Sequence, residues 1–209
     1  MTAVVDYGVG NLSSLVGSLG HIGEEAVVTS DPAVLLSADR IILPGVGAFG
    51  DAAERLFSSG LAEVLREAVG SGIPLLGICL GMQLLFERSF EYGEHKGLGL
   101  IRGEVRPIDE EGNFPYKVPH MGWNSLQICR RSPLLRYVGE GAYVYYVHSF
   151  CARGCDESVD AVSDYGTEIV GAVSSCNVYG TQFHPEKSGS VGLSMLRAFC
   201  ELKKSGDNT

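Results

Sequence analysis

No stretch of this chain approaches the roughly 18–20 uninterrupted apolar residues that a membrane-spanning helix needs. Basic residues are scarce too: 16 Lys and Arg face 25 Asp and Glu, a formal net charge of −9 with no basic run. That balance argues against nucleic acid as a partner. The opening residues, MTAVVDYGVGN, lack the positive start and long apolar stretch of an export signal, so a cytoplasmic protein is expected. There is no internal repeat, no low-complexity tract and no Pro/Gly/Ser-rich linker. One domain is therefore expected over residues 1–204, with 205–209 a frayed tail. Without an export signal, Cys79, Cys129, Cys151, Cys155, Cys176 and Cys200 are expected as thiols rather than disulfides. Cys151 and Cys155 form a C-x3-C pair, but no second pair lies nearby to complete a zinc site, so no metal is expected. A glycine-rich phosphate loop is missing as well, since GVGN before Leu12 is too short to count. No cofactor is implied.

What is present is alternation. TAVVDY (2–7), EAVVTS (25–30) and RIILPGVG (40–47) read as strands, the third breaking at Pro44. Between them, GVGNLSSLVGSLGHIG reads as a glycine-punctuated helix, and residues 50–70 carry helical patterning through Leu56, Leu61, Val64, Leu65 and Ala68. This order predicts a doubly wound α/β domain with a mostly parallel sheet. From about residue 97 the texture changes to strand-like runs: LGLIRGEVRPI, AYVYYVHSF, VDAVSDY and EIVGAVSSCNVYGTQF. They predict an antiparallel extension of the same sheet, closed by an amphipathic helix over 190–204.

The stretch PLLGICLGMQLLFE (74–87) carries the chemistry. Leu75, Leu76 and Ile78 predict a buried strand, and Cys79 onward predicts a buried helix. Gly77 and Gly81 let the chain bend and let neighbouring backbone pass close. G-I-C-L-G thus has the form of a nucleophile elbow. A helix N-terminus stabilises a thiolate, and the Leu80 N–H can face a developing oxyanion. A merely structural cysteine behind a glycine-rich turn has the same local pattern, so partners are needed.

YGTQFHPEKSG supplies them. His184 precedes a proline and is pushed towards extended geometry, which lets His184 and Glu186 project to one side. A carboxylate beside an imidazole fixes its tautomer and stabilises its protonated form. Cys79, His184 and Glu186 are therefore the expected nucleophile, acid/base and orienting group. His148 in YYVHSF is the rival base, without an acid within two residues. His120 falls in a helix-end or loop context, and His21 and His95 read as surface residues.

Through GICLGMQLLFE and TQFHPEKSG the chain resembles the class I glutamine amidotransferases, whose triad is Cys-His-Glu. DYGVGNLSSL, LPGVGAFGDA, GLGLIRGEV, KVPHMGWN and YYVHSF narrow the resemblance to the family's glutaminase subunits of imidazole glycerol phosphate synthases. It runs from Asp6 to about Phe199, with Phe150 standing where a tyrosine is frequent. The resemblance implies a flavodoxin-like fold with the elbow at the C-terminal end of a strand, where open α/β sheets hold ligands. It implies that Cys79 attacks the side-chain amide of glutamine, that Gln83 holds the substrate, and that Glu91 binds its α-amino group. It also implies that the Val46–Gly47 region is a substrate contact and the second oxyanion donor beside Leu80. A peptide flip there would be a switch, keeping resting activity low until a partner binds. That partner is implied to be a (β/α)8 cyclase, forming a heterodimer with Asn11, Trp123, Tyr145 and Lys187 at the interface. It receives ammonia and makes imidazole glycerol phosphate and an aminoimidazole carboxamide ribonucleotide in histidine biosynthesis. From its neighbours alone, Trp123 fits an interface anchor and a core residue about equally.

Three other readings stand beside this one. A free-standing cysteine hydrolase would share the elbow but would not require Gln83, Glu91 or the His-Pro-Glu partnership. A decayed, non-catalytic subunit is opposed by the intact Cys79, His184 and Glu186. A paralogous subunit supplying ammonia for amidation of a surface sugar would keep all the chemistry. KVPHMGWN and HPEKS favour the histidine-pathway reading over it.

Overall fold

The computed structural model describes residues 1–110, 112 and 114–204; the tail expected over 205–209 lies outside them. In chain order the strands are β1 (Thr2–Val5), β2 (Ala26–Thr29), β3 (Arg40–Gly45), β4 (Leu75–Cys79), β5 (Arg88–Ser89), β6 (His95–Lys96) and β7 (Glu104–Pro107). They continue as β8 (His120–Ser125), β9 (Gln127–Ile128), β10 (Tyr143–His148), β11 (Phe150–Arg153), β12 (Val159–Asp164), β13 (Glu168–Ser175) and β14 (Val178–Thr181). The helices are α1 (Leu12–His21), α2 (Pro32–Ser37), α3 (Phe49–Ser58), α4 (Leu61–Gly70), α5 (Leu80–Leu84) and α6 (Gly189–Cys200).

Eight strands form the main sheet in the order β2-β1-β3-β4-β14-β13-β12-β9. The pairings from β2 through β14 are parallel, and those from β14 to β9 are antiparallel. The parallel half has the flavodoxin-like order. Both its faces are covered, because successive residues of a strand point to opposite sides. Ala3, Val5, Ile41, Leu43 and Leu75 pack with α2, α3 and α4 on one side. Val4, Ile42, Leu76 and Ile78 pack with α1 and α6 on the other. Continuous apolar strands such as AVV and RIIL are the sequence trace of this double burial.

The structure corrects several expected boundaries. β3 does not break at Pro44 but runs on to Gly45, with Pro44 opposite Ile78 of β4. Pairing to β1 has already stopped at Ile42, so the proline's missing N–H interrupts no ladder on that side. The patterning over 50–70 is two helices, because Gly60 takes a left-handed turn at φ +77° between α3 and α4. The closing helix ends at Cys200, and only Glu104–Pro107 of LGLIRGEVRPI is a strand. The C-terminal strands do not all join the main sheet. β8 and β10 pair with each other as an antiparallel ribbon, and β11-β7-β5-β6 form a small sheet of their own.

Candidate active site

At the C-terminal end of β4 the chain turns straight into α5, with Cys79 at φ 56° and ψ −111°. A cysteine in that conformation is strained, of order 1–3 kcal/mol, and persists only where its surroundings over-determine it. Backbone contact supplies that constraint. A Cβ on Gly81 would lie 1.8 Å from the carbonyl oxygen of Leu43 in β3, and one on Gly77 would lie 2.5 Å from Gly81 O. The glycines of G-I-C-L-G are thus required by close approach, pressing α5 directly onto β3.

Around Cys79 opens a cavity of about 350 Å³. Val46 and Gly47 come from the end of β3, Cys79 and Leu80 from the elbow, and His184 from just beyond β14. These are the C-terminal ends of three neighbouring parallel strands. Gln83 of α5, the Glu91–Tyr92 loop, Pro119 and the Val147–Phe150 segment complete the wall. Of the expected triad, Glu186 stays behind the cavity, and its Oε1 meets the Nδ1 of His184 at 2.8 Å. A carboxylate only accepts, so Nδ1 carries the proton and Nε2 is left for chemistry. That Nε2 is buried and has no hydrogen-bond partner among the described residues. Burial alone would lower the His184 pKa, but Cys79 and Glu186 outweigh it and raise it to about 9. The imidazole is poised to hold a proton beside the Cys79 sulfur. The His-Pro-Glu turn is itself clamped, since a Cβ on Gly192 of α6 would lie 1.9 Å from Pro185 O.

His148, the rival base, does line the cavity, but both its ring nitrogens are engaged. Nδ1 donates to Phe150 O at 2.8 Å, and Nε2 meets His120 Nδ1 at 3.0 Å. Burial, reinforced by His120, His184 and Arg153, holds its pKa down to about 3. It is a neutral structural ring, not a base. His120 is corrected likewise: it lies in β8 rather than a loop, is 2% exposed, and stacks between Tyr146 and Tyr165. His21 is exposed as expected, whereas His95 is half-buried and packs against Phe49 and Gly50.

Gln83 is buried, and its Nε2 donates to Phe150 O at 3.1 Å and to Gln182 Oε1 at 3.0 Å. What it can offer a ligand is its amide oxygen, an acceptor. Glu91 accepts from the N–H of Phe49, at the start of α3, at 2.6 Å, and burial raises its pKa. It therefore caps that helix while also lining the cavity. Departure from tyrosine at Phe150 leaves this wall intact, because its carbonyl makes the contacts to Gln83 and His148.

Two residues at the site were not singled out in the sequence. Gln182 is fully buried, and its Nε2 lies 3.8 Å from Cys79 Sγ. Tyr7 is buried beneath the elbow and donates to Pro44 O at 2.8 Å. Gln182 stands two residues before His184, a spacing that places it near the same centre; Tyr7 had only its membership of DYGVGN.

The family model for class I glutamine amidotransferases matches residues 3–202. The chain belongs to the class I glutamine amidotransferases. Among curated relatives, this amidotransferase is 52% identical over 207 residues to the imidazole glycerol phosphate synthase subunit HisH of Wolinella succinogenes, covering 97% of this chain and 100% of that one. It is 51% identical over 199 residues to the HisH subunit of Bacillus cereus, covering 95% and 93%. A solved glutamine amidotransferase superposes with a TM-score of 0.74 at 21% identity, covering 95% of this chain and 97% of its own, which speaks for the fold. Among the described residues of the amidotransferase, no helix is long and apolar enough to cross a membrane, and no group of His, Cys, Asp and Glu is arranged to hold a metal ion.

The four residues expected at an interface lie outside the cavity. Asn11 and Lys187 are exposed, and Trp123 is 55% exposed, edge-on to Tyr145 at 6.0 Å. Trp123 is therefore not a core residue. With Met121 and Tyr143, each 60% exposed, it gives the β8/β10 ribbon an uncovered apolar face.

Proposed function

We propose that the chain is the glutaminase subunit of an imidazole glycerol phosphate synthase, acting in the cytoplasm on glutamine and passing ammonia to a (β/α)8 cyclase. The observation that carries the chemistry is the His184 ring, fixed by Glu186 at 2.8 Å and presenting a free, buried Nε2 to the cavity of Cys79. Near-half identity to HisH subunits over almost the whole chain supports the pathway. The sugar-amidating alternative finds no support in those names.

In this reading the Cys79 thiolate attacks the side-chain carbonyl carbon of glutamine and a C–S bond forms. The carbonyl electrons move to oxygen, where the Leu80 N–H and the Val46–Gly47 segment stabilise them. His184, protonated by the thiol, gives that proton to the departing nitrogen; the C–N bond breaks and ammonia leaves. Water then adds to the thioester, His184 takes its proton, the C–S bond breaks, and glutamate is released with the thiol restored. Gln83 and Glu91 hold the substrate's polar groups. Gly47 stands at φ +98°, a conformation that glycine adopts without strain, so a turned peptide there costs little, which supports low resting activity without a partner. Asn11, Trp123, Tyr145 and Lys187 meet the cyclase, and the uncovered face of the ribbon supports a heterodimer.

The test is glutamate release by the chain alone, then with a cyclase subunit and imidazole glycerol phosphate, against Cys79→Ala. Stimulation that disappears in the variant is the expected result. Absence of stimulation, with Cys79 still alkylated by a glutamine-like chloroketone, would overturn the choice of partner and keep the chemistry.

A further inference from the structure

Ser188 occupies the N-cap position of α6, where a serine side chain ordinarily accepts from a backbone N–H of the first turn. Here it makes no such cap. Its hydroxyl, 2% exposed as a residue, is turned the other way. It donates to His184 O at 2.6 Å and accepts from Tyr145 N–H at 3.0 Å. His184 N–H in turn donates to Tyr145 O at 3.0 Å. These three bonds close a circuit that ties both backbone polar groups of His184 to both of Tyr145. His184 O also accepts from Lys187 N–H at 3.0 Å, but that bond is internal to the turn. Only the circuit reaches another strand.

The strand it reaches is β10. Tyr145 packs edge-on to Trp123 on the uncovered face of the ribbon. Two residues further on, Val147 O lies 4.0 Å from Cys79 Sγ. One strand thus carries an outward aromatic face, the backbone clamp on His184, and a contact to the nucleophile. Giving up a helix cap for this clamp is a placement that helix stability alone does not reward.

We infer that Ser188 is a positioning residue for His184, and that its hydroxyl transmits docking on the outward face of β10 to the imidazole. The second half rests on the partner reading above. A buried hydroxyl that donates and accepts at once leaves Tyr145 N–H unpartnered when removed. Only the His184 N–H to Tyr145 O bond then joins the two segments, and the imidazole loses its register with the thiol.

The experiment uses Ser188→Ala and Ser188→Thr in the full chain, in two arms. Alone, Cys79 alkylation by a glutamine-like chloroketone is followed from pH 6 to 9. Ser188→Ala is expected to slow it about fivefold or more and to displace its pH midpoint, with Ser188→Thr restoring both, a pattern that loss of stability does not produce. With a purified cyclase subunit and imidazole glycerol phosphate, the ratio of stimulated to unstimulated kcat should fall about tenfold in Ser188→Ala, with the KM for glutamine nearly unchanged. An unchanged alkylation profile overturns the positioning role. A displaced profile with full stimulation overturns the transmission and keeps the positioning. A wild-type chain that no cyclase stimulates overturns the partner reading and the transmission with it, and the first arm still decides the rest. Should Ser188→Ala fail to fold, Ser188→Cys, a weaker donor of similar shape, carries the same comparison.

Discussion

Acidifying the protein from pH 6.5 to 5.5 should cost about 2 kcal/mol of folding stability, because two buried rings cannot accept a proton. The tautomers are dictated by their neighbours. Phe150 O only accepts, so His148 Nδ1 carries its hydrogen and its Nε2 must accept from His120 Nδ1–H. Asn124 Oδ1 is taken by Ser125 N–H at 2.8 Å, so its Nδ2 faces His120 Nε2 at 3.3 Å, and that atom also accepts. A proton added to either ring would set donor against donor. Burial holds His120 down to about 4 and His148 to about 3, whereas an unfolded histidine titrates near 6.5. Below that value the unfolded chain takes up protons that the folded chain refuses, so stability falls as pH falls. Each unfolded ring starts the interval half-protonated, so each contributes about 1 kcal/mol across that first unit. His184 has the opposite sign. Its stabilisation is fully present below about 6.5 and is lost as pH rises through about 9, so it adds little slope in this window. Urea unfolding at the two pH values measures the loss, and two-bond ¹⁵N–¹H correlation spectra read the tautomers. His120 or His148 titrating near 6.5 in the folded protein, or a stability change below about 0.5 kcal/mol, would refute the reasoning.

Other perturbations give equally definite outcomes. Glu186→Gln removes the carboxylate that fixes His184 and helps hold its proton, so kcat for glutamine hydrolysis should fall about 100-fold or more with little change in KM. Gly81→Ala forces a Cβ to 1.8 Å from Leu43 O; thermal and urea unfolding should show a loss of at least about 3 kcal/mol, and Cys79 should lose its reactivity to alkylation. Arg130→Ala strips the guanidinium that pairs at 2.8 Å with the fully buried Asp160. The loss should be about 3 kcal/mol, with Asp160→Asn in the same background recovering part of it. On the proposed partner reading, Trp123→Ala should weaken binding to a cyclase subunit by about 2 kcal/mol in calorimetry while leaving the unfolding midpoint of the isolated chain within a degree or two.

The parts of the site that were legible in the sequence are those encoded locally. A strand, a sharp turn and a helix compressed into GICLG, and a His-Pro-Glu turn, each declare their geometry within a few residues. The parallel half of the sheet was legible for the same reason, since doubly buried strands leave uninterrupted apolar runs. What could not be read is what depends on contacts across the fold. Nothing near His120 in the sequence announces that it will stack between Tyr146 and Tyr165, or that Asn124 will fix its tautomer. Gly192 looks like an ordinary weak point of a helix until Pro185 O is found against it. β8 and β10 pair with one another rather than with the main sheet, and pairing choice is not written in periodicity. Ser188 was hidden because a serine before a helix has a standard explanation that the structure does not use.

The contact between Gly81 and β3 has a consequence for how such a protein can change. The sulfur's position is set where main chain touches main chain, so exchanging core side chains repacks the domain without moving the nucleophile. The side chains of Glu91 and Tyr92, on the loop after β5, form another part of the cavity wall. Variation in this lineage can therefore alter what the cavity admits while the attacking atom stays where it is.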